Sequence, residues 1–275
     1  MDSTFARLVQ LLHEDELRHV SPLKMFGLYR EQMRVVAFDV GAEQGFLLLL
    51  PRAASHYDTA KYPSASRVIF PVLSRSPSVA MIDACVVAIV KSAGAETFVI
   101  KSCELALVSA LRAARPALSY QRALLTFTRF SEESAWLASH ADVMPPIKLK
   151  VTPLVLAEAQ ALLAAHDVYS ASELKTMFTD GSARCLLSVD GEEPVAVALA
   201  FPNTPTLHEI GSLYVAPHTR RAGHAGALVR AAMADIAGRN LAVRYVVDAT
   251  NAPSIDLAKR CGLREVLRLE HWLSA

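Results

Sequence analysis

Apolar positions recur at two periods along the chain, and the alternation between them marks out helices and strands. In the second half, 153–166 carries Leu154, Leu156, Ala159, Leu162 and Leu163 at helical spacing. A short second helix is expected from Ser170-Ala171-Ser172-Glu173 to Asp180-Gly181. Residues 183–189 and 194–201, joined by Asp190-Gly191-Glu192-Glu193, read as strand, tight turn, strand. Residues 208–215 form a further strand, and 219–239 a helix with Leu228, Ala232 and Ile236 on one face. A Val- and Tyr-rich strand follows at 242–249. A short helix at 251–261 comes next, with Gly262 where a C-terminal cap is expected. Residues 263–273 are a last strand. The order is that of an α/β fold on a mixed sheet.

The first half repeats the order less clearly. Helices are expected at 4–13 and 22–32, and a hairpin at 34–39 and 45–51 around Val40-Gly41-Ala42-Glu43-Gln44. Residues 67–73 read as a strand, 79–91 as a helix or buried run, 97–101 as a strand, 104–114 as a helix and 121–130 as a strand. Hairpin, strand, helix, strand, helix, strand thus occurs twice, without a residue-level repeat. Residues 131–146, ending in Pro145-Pro146, make the best linker. The expected domains are 1–135 and 146–275.

Composition narrows the classes. Of 275 residues, 52% are hydrophobic, enough for one or two cores. The net charge of +1 offers no basic excess for nucleic acid or an anionic membrane. Cys85, Cys103, Cys185 and Cys261 lie far apart and suggest neither zinc site nor disulfide framework, so no metal is expected. Met1-Asp2-Ser3-Thr4 lacks the basic and apolar runs of a signal peptide, and no apolar run is long enough to span a bilayer. The expectation is a soluble cytoplasmic protein.

The stretch Tyr214-Val215-Ala216-Pro217-His218-Thr219-Arg220-Arg221-Ala222-Gly223-His224-Ala225 joins a strand to a helix. Such a turn presents backbone N–H groups and the positive end of the helix dipole, which favour an anion. Gly223 permits close backbone approach, and Arg220 and Arg221 add positive charge. Taken alone, the loop is equally an ordinary strand-to-helix turn with two solvated arginines.

This loop resembles the Arg/Gln-x-x-Gly-x-Gly/Ala signature of the GNAT (Gcn5-related) N-acetyltransferases. Glu209-Ile210-Gly211-Ser212-Leu213-Tyr214-Val215-Ala216-Pro217 is similar to that family's fourth strand. Asn251-Ala252-Pro253-Ser254-Ile255-Asp256-Leu257-Ala258-Lys259-Arg260-Cys261-Gly262-Leu263 is similar to its Asn-x-x-Ser/Ala-x-x-Leu-Tyr-x-x-x-Gly-Phe segment. The resemblance is strongest over 207–266 and looser back to 147, with the glycine N-acyltransferase-like branch nearest. It implies a mixed-sheet GNAT fold for the C-terminal half. It also implies acetyl-CoA or another short acyl-CoA as cosubstrate, and direct attack by an amine on the thioester. The implied acceptor is a small molecule, an amino acid or a peptide. A monomer or homodimer is expected, and the alternative is a catalytically weak acyl-CoA sensor or scaffold.

By the same resemblance, Leu213, Tyr214 and Val215 flank the pantetheine arm. Arg220, Arg221, Ala222, Gly223, His224 and Ala225 hold the pyrophosphate. Asn251 and Ser254 are cofactor contacts, with a plain N-cap as the other role of Asn251. Glu209 matches a fourth-strand glutamate used as base, and His208 is the alternative, facing the opposite way by strand alternation. The family's tyrosine acid falls at Ala258, which has no proton to give; Tyr214, Ser254 and His271 are conceivable stand-ins. Cys261 is expected to pack rather than react. The N-terminal half is read as a degenerate GNAT-like domain that shapes the acceptor pocket. It has no glycine between Gly45 and Gly94, and Ser74-Arg75-Ser76-Pro77-Ser78 stands where the signature would be. Ser55-His56-Tyr57-Asp58 reads as pocket lining or solvated loop.

Overall fold

The computed structural model describes residues 3–129, 148–152, 159, 162, 163, 178 and 183–274, the backbone alone at 148–152. The chain divides into two compact units, residues 1–124 with 267–275, and residues 125–266. The expected linker at 131–146 lies outside the described residues. No described helix is long and apolar enough to cross a membrane.

The first unit opens with α1 (Ser3–Glu14) and α2 (Glu16–Tyr29), which starts six residues earlier than the periodicity predicts. The Asp15 side chain accepts from Arg18 N–H and caps it, and Pro22 lies inside it. Next come β1 (Arg34–Val40), β2 (Glu43–Pro51), α3 (His56–Lys61), β3 (Arg67–Val72), α4 (Val79–Ala93), β4 (Phe98–Ser102), α5 (Leu105–Ala114) and β5 (Leu118–Thr128). The order across this unit's sheet is β1-β2-β3-β4, then the final strand β11 (Arg264–Ser274), then β5. The β1/β2 and β2/β3 pairs are antiparallel, and β3/β4 is parallel. β11 runs antiparallel to β4, with His271 opposite Lys101.

The apolar run of β2 is long because both of its faces are covered. Alternate residues serve opposite cores. Leu47 and Leu49 pack with Met81, Cys85, Ile89, Leu107 and Leu111 of α4 and α5. Phe46, Leu48 and Leu50 pack with Leu8, Leu11, Leu12 and Tyr62.

Ser55-His56-Tyr57-Asp58, expected as loop, instead begins α3, and the Ser55 side chain accepts from Asp58 N–H to cap it. Asp58 is fully buried and ion-paired at 2.6 Å with buried Lys101. Beside them Tyr62 hydrogen-bonds His271, and Arg122 donates to the Tyr57 hydroxyl at 2.8 Å. Burial, aided by Lys101 and Arg122, holds the His271 pKa well below the ordinary value near 6.5. Burial and Arg18 lower that of His19.

Both histidine pKa values fall on folding. The unfolded chain therefore binds more protons below about pH 6.5, and stability is lost as pH drops through that value. The slope reaches about 1.4 kcal/mol per pH unit for each histidine. Resistance of the full chain to urea is expected to fall steadily from pH 7 to pH 5 as the first unit loses stability, and His271→Gln to flatten that decline. A pH-independent midpoint in the unmodified chain contradicts this assignment.

The second unit contains β6 (Lys148–Thr152), β7 (Arg184–Asp190), β8 (Glu193–Pro202), β9 (Leu207–Val215), α6 (His224–Gly238), β10 (Ala242–Asp248) and α7 (Ala252–Arg260). The order is β6-β7-β8-β9-β10, with residues 125–128 of β5 beside β10. Gly191, at φ 60°, makes the β7/β8 turn where the sequence expects one. Ala196, Ala198 and Ala200 of β8 face Leu228, Ala232 and Ile236 of α6, the stripe expected from spacing. Val197, Leu199 and Phe201 face the other core. Of the helices expected at 153–166 and 170–181, only Ala159, Leu162, Leu163 and Phe178 are described; all four are helical and join that second core.

Candidate active site

The β8/β9 ladder pairs Ala196 with Val215 and Val197 with Tyr214, then resumes at Leu199 with Gly211. One residue of β8 therefore faces two of β9, which is a β-bulge. Ser212 sits in it at φ 49°. On the other side of β9, the parallel ladder with β10 runs from Leu207/Ala242 to Ile210/Tyr245 and stops there. The two strands part beyond Ile210, where this ladder ends.

Past β9, a single 3-10 turn covers Pro217–Thr219. Helix α6 begins only at His224, five residues later than the apolar pattern predicts, and residues 220–223 remain exposed loop. The cause is local. Arg221 takes φ 72° and Gly223 φ 94°, both outside the right-handed helical region. Left-handed backbone is nearly free of cost for glycine and strained for arginine. The helix has no side-chain cap, and its first ladder bond is Ala227 N–H to Gly223 C=O at 3.0 Å. The N–H groups of His224, Ala225 and Gly226 consequently have no carbonyl within the helix. Arg220 and Arg221 are exposed beside them, with Arg220 Nε donating to Val215 C=O at 3.2 Å. The His224 ring turns away, buried against Ser188 Oγ at 2.7 Å, so only its backbone can serve an anion.

The first unit offers a contrast. Its parallel β3/β4 ladder also stops early, at Ile69/Ile100. Yet α4 begins on Ser78, whose hydroxyl accepts from Met81 N–H at 3.1 Å, while Glu43 accepts from Ser78 N–H at 3.2 Å. A carboxylate of the chain itself already occupies that helix N-terminus.

Glu209 and Arg244 are register partners at the foot of the gap and form an ion pair. Asn203 Nδ2 donates to the same Glu209 oxygen, Oε2, at 2.7 Å. Oε1 lies 3.7 Å from where a Cβ on Gly211 would stand. Strand alternation holds: His208 is buried at 4% exposure while Glu209 is half-buried.

Asn251 caps α7, its Oδ1 accepting from Ser254 N–H at 3.2 Å. Ala258 is fully buried in the core beneath α6. His271 belongs to the first unit and is engaged with Tyr62. Burial pushes the Cys261 thiol up, as suits a packing residue. Two hydroxyls near the parting strands had no signal in the sequence. Ser212 Oγ is shielded and has no hydrogen-bond partner. Burial pushes the pKa of Tyr245, opposite Ile210, up to about 12.

Residues 155–263 match the profile of the acetyltransferase (GNAT) family. No curated protein matches the chain. Among solved structures, a GNAT acetyltransferase from Colwellia psychrerythraea is similar over 93% of this chain and 90% of its own, at TM-score 0.60 and 11% identity. A GCN5-related N-acetyltransferase from Kribbella flavida is similar over 93% and 95%, at TM-score 0.56 and 15% identity. A tandem GNAT protein from the clavulanic acid biosynthesis pathway is similar over 91% and 86%, at TM-score 0.55 and 14% identity. The chain has the GNAT fold.

Proposed function

We propose, taking residues 155–263 as a GNAT acetyltransferase segment, that this protein is an N-acyltransferase. It moves an acetyl or short acyl group from acyl-CoA to a primary amine of a small molecule, amino acid or peptide. The observation that carries this reading is the gap between β9 and β10 beyond Ile210, followed directly in the chain by the uncapped start of α6. Leu213, Tyr214 and Val215 line the pantetheine arm. Backbone N–H groups of Arg221, Ala222, Gly223, His224 and Ala225 hold the pyrophosphate, and Arg220 and Arg221 supply positive charge. Asn251 and Ser254, at the head of α7, border the arm. Within the family the glycine N-acyltransferase-like branch is nearest.

Glu209 takes the proton from the attacking amine through Oε1, while Asn203 and Arg244 fix Oε2. Ala258 supplies no acid. The thiolate of CoA is a tolerable leaving group, so its absence slows the step without preventing it. The first unit is a degenerate copy of the same fold, closed to a phosphate by Ser78 and Glu43. The protein acts in the cytoplasm as a monomer or homodimer.

A second reading, an acyl-CoA sensor or scaffold, draws on Ala258 and on the Arg244 clamp over Glu209. Incubation with acetyl-CoA and a broad amine panel, following release of free thiol, separates the two. Thiol release that depends on one class of amine supports the enzyme. Tight CoA binding with no turnover on any amine leaves the sensor.

A further inference from the structure

Two unfavourable features coincide at residue 212. Its backbone holds φ 49°, a left-handed conformation that glycine adopts freely and serine does not. Its Oγ is shielded from water and has no hydrogen-bond partner among the described residues, an uncommon state for a shielded hydroxyl. Ser212 is only half-buried, so neither feature is the by-product of a sealed core. Backbone strain and unpaired polar atoms that persist together point to a function.

The place of Ser212 along β9 indicates its partner. The bulge in the β8/β9 ladder re-aims this residue just where β9 has parted from β10. The cradle at the start of α6 follows Val215 in the chain. An arm running from it back along β9 passes Val215, Tyr214 and Leu213. Its acyl end then arrives at Ser212, two residues short of Ile210, where the ladder closes. The Glu209 carboxylate lies at this same level. Its Oε1 is 3.7 Å from where a Cβ on Gly211 would stand, and that Cβ would crowd Phe201 at 3.1 Å. Residue 211 therefore carries no side chain beside the carboxylate, and Ser212 is the next residue along. A single χ1 turn moves a serine Oγ among three staggered positions, so the shielded hydroxyl is not fixed where it rests.

We propose, resting on the acyltransferase reading of this gap, that the Ser212 hydroxyl donates a hydrogen bond to the thioester carbonyl oxygen of bound acyl-CoA and stabilises the oxyanion formed there. The amine nitrogen bonds to the carbonyl carbon, and the second C=O electron pair moves onto oxygen. Glu209 Oε1 takes the amine's proton and later releases it to solvent. The oxygen pair then re-forms the C=O bond, and the C–S bond breaks with its electrons on sulfur, giving an amide and CoA thiolate. Ser212 keeps its proton throughout. It acts on oxygen rather than sulfur, so it does not replace the acid that Ala258 lacks.

Infrared difference spectra of bound acetyl-CoA, isotope-labelled at the thioester carbonyl, test this in the full chain without turnover. The comparison is with Ser212→Ala, which removes the hydroxyl, and Ser212→Gly, which also suits the left-handed backbone and so keeps the fold. In the unmodified protein the carbonyl band is expected at lower wavenumber than in free acetyl-CoA, and both variants are expected to move it back up. Turnover is expected to fall on the order of 10²-fold in both, the range for one lost oxyanion donor, with acetyl-CoA affinity within about threefold. A carbonyl band at one position in all three proteins overturns the inference while the acyltransferase reading stands, as does unchanged turnover in the variants. Failure of the unmodified protein to bind acetyl-CoA, or to turn over any amine, overturns the reading itself, and the inference with it.

Discussion

Glu209→Gln is expected to lower turnover on the order of 10²–10⁴-fold, the range of a lost general base, while acetyl-CoA affinity stays within about threefold. The split follows from position. Glu209 lies at the foot of the β9/β10 gap, where the ladder still holds, away from the α6 cradle. The amide cannot accept a proton, yet it keeps the size of the carboxylate. It also leaves the Arg244 guanidinium, 7% exposed, without its counter-charge. A measurable loss of stability should therefore accompany the loss of rate. Michaelis–Menten kinetics over a pH series, paired with calorimetric titration of acetyl-CoA, checks both. If Glu209 only clamps Arg244, stability falls while turnover persists across pH, and His208 becomes the residue to replace.

Asp58→Ala is expected to destabilise the first unit by about 3–5 kcal/mol, because it strands the Lys101 ammonium in the interior. Burial already lowers the Lys101 pKa, and Asp58 is the group that opposes this. A double variant, Asp58→Leu/Lys101→Met, should recover most of the loss, since replacing both charges removes the uncompensated one. Urea denaturation of the three proteins provides the readout. An Asp58→Ala midpoint equal to wild type would mean that the pair contributes nothing.

The sequence is a good guide where one element's periodicity decides the outcome. Leu228, Ala232 and Ile236 mark the buried face of α6, and Gly191 and Gly41 mark the hairpin turns. It is a poor guide where the outcome depends on which strand lies next to which. Period-two patterning identifies 263–273 as a strand but cannot assign it a neighbour, and residues 267–275 belong to the first unit beside β4. The Glu209–Arg244 and Ser188–His224 pairs are hidden for the same reason, since each joins residues that only sheet or core packing brings together. Helix α3 carries a Ser55-x-x-Asp58 start signal, but it is too short to display an apolar stripe. The start of α6 is misplaced because apolar spacing ignores backbone sign, and Arg221 and Gly223 both take positive φ.

The central claim is that acyl-CoA sits at the start of α6 beside the β9/β10 gap. Calorimetric titration of acetyl-CoA into the full chain and into Gly223→Val tests it most directly. Gly223 holds φ 94°, which a β-branched residue adopts only under strain, and its missing side chain keeps the cradle open. The account predicts saturable binding to the unmodified protein, at one acetyl-CoA per chain, and affinity lower by roughly 10²-fold in the variant. Equal affinity in the two proteins would contradict it.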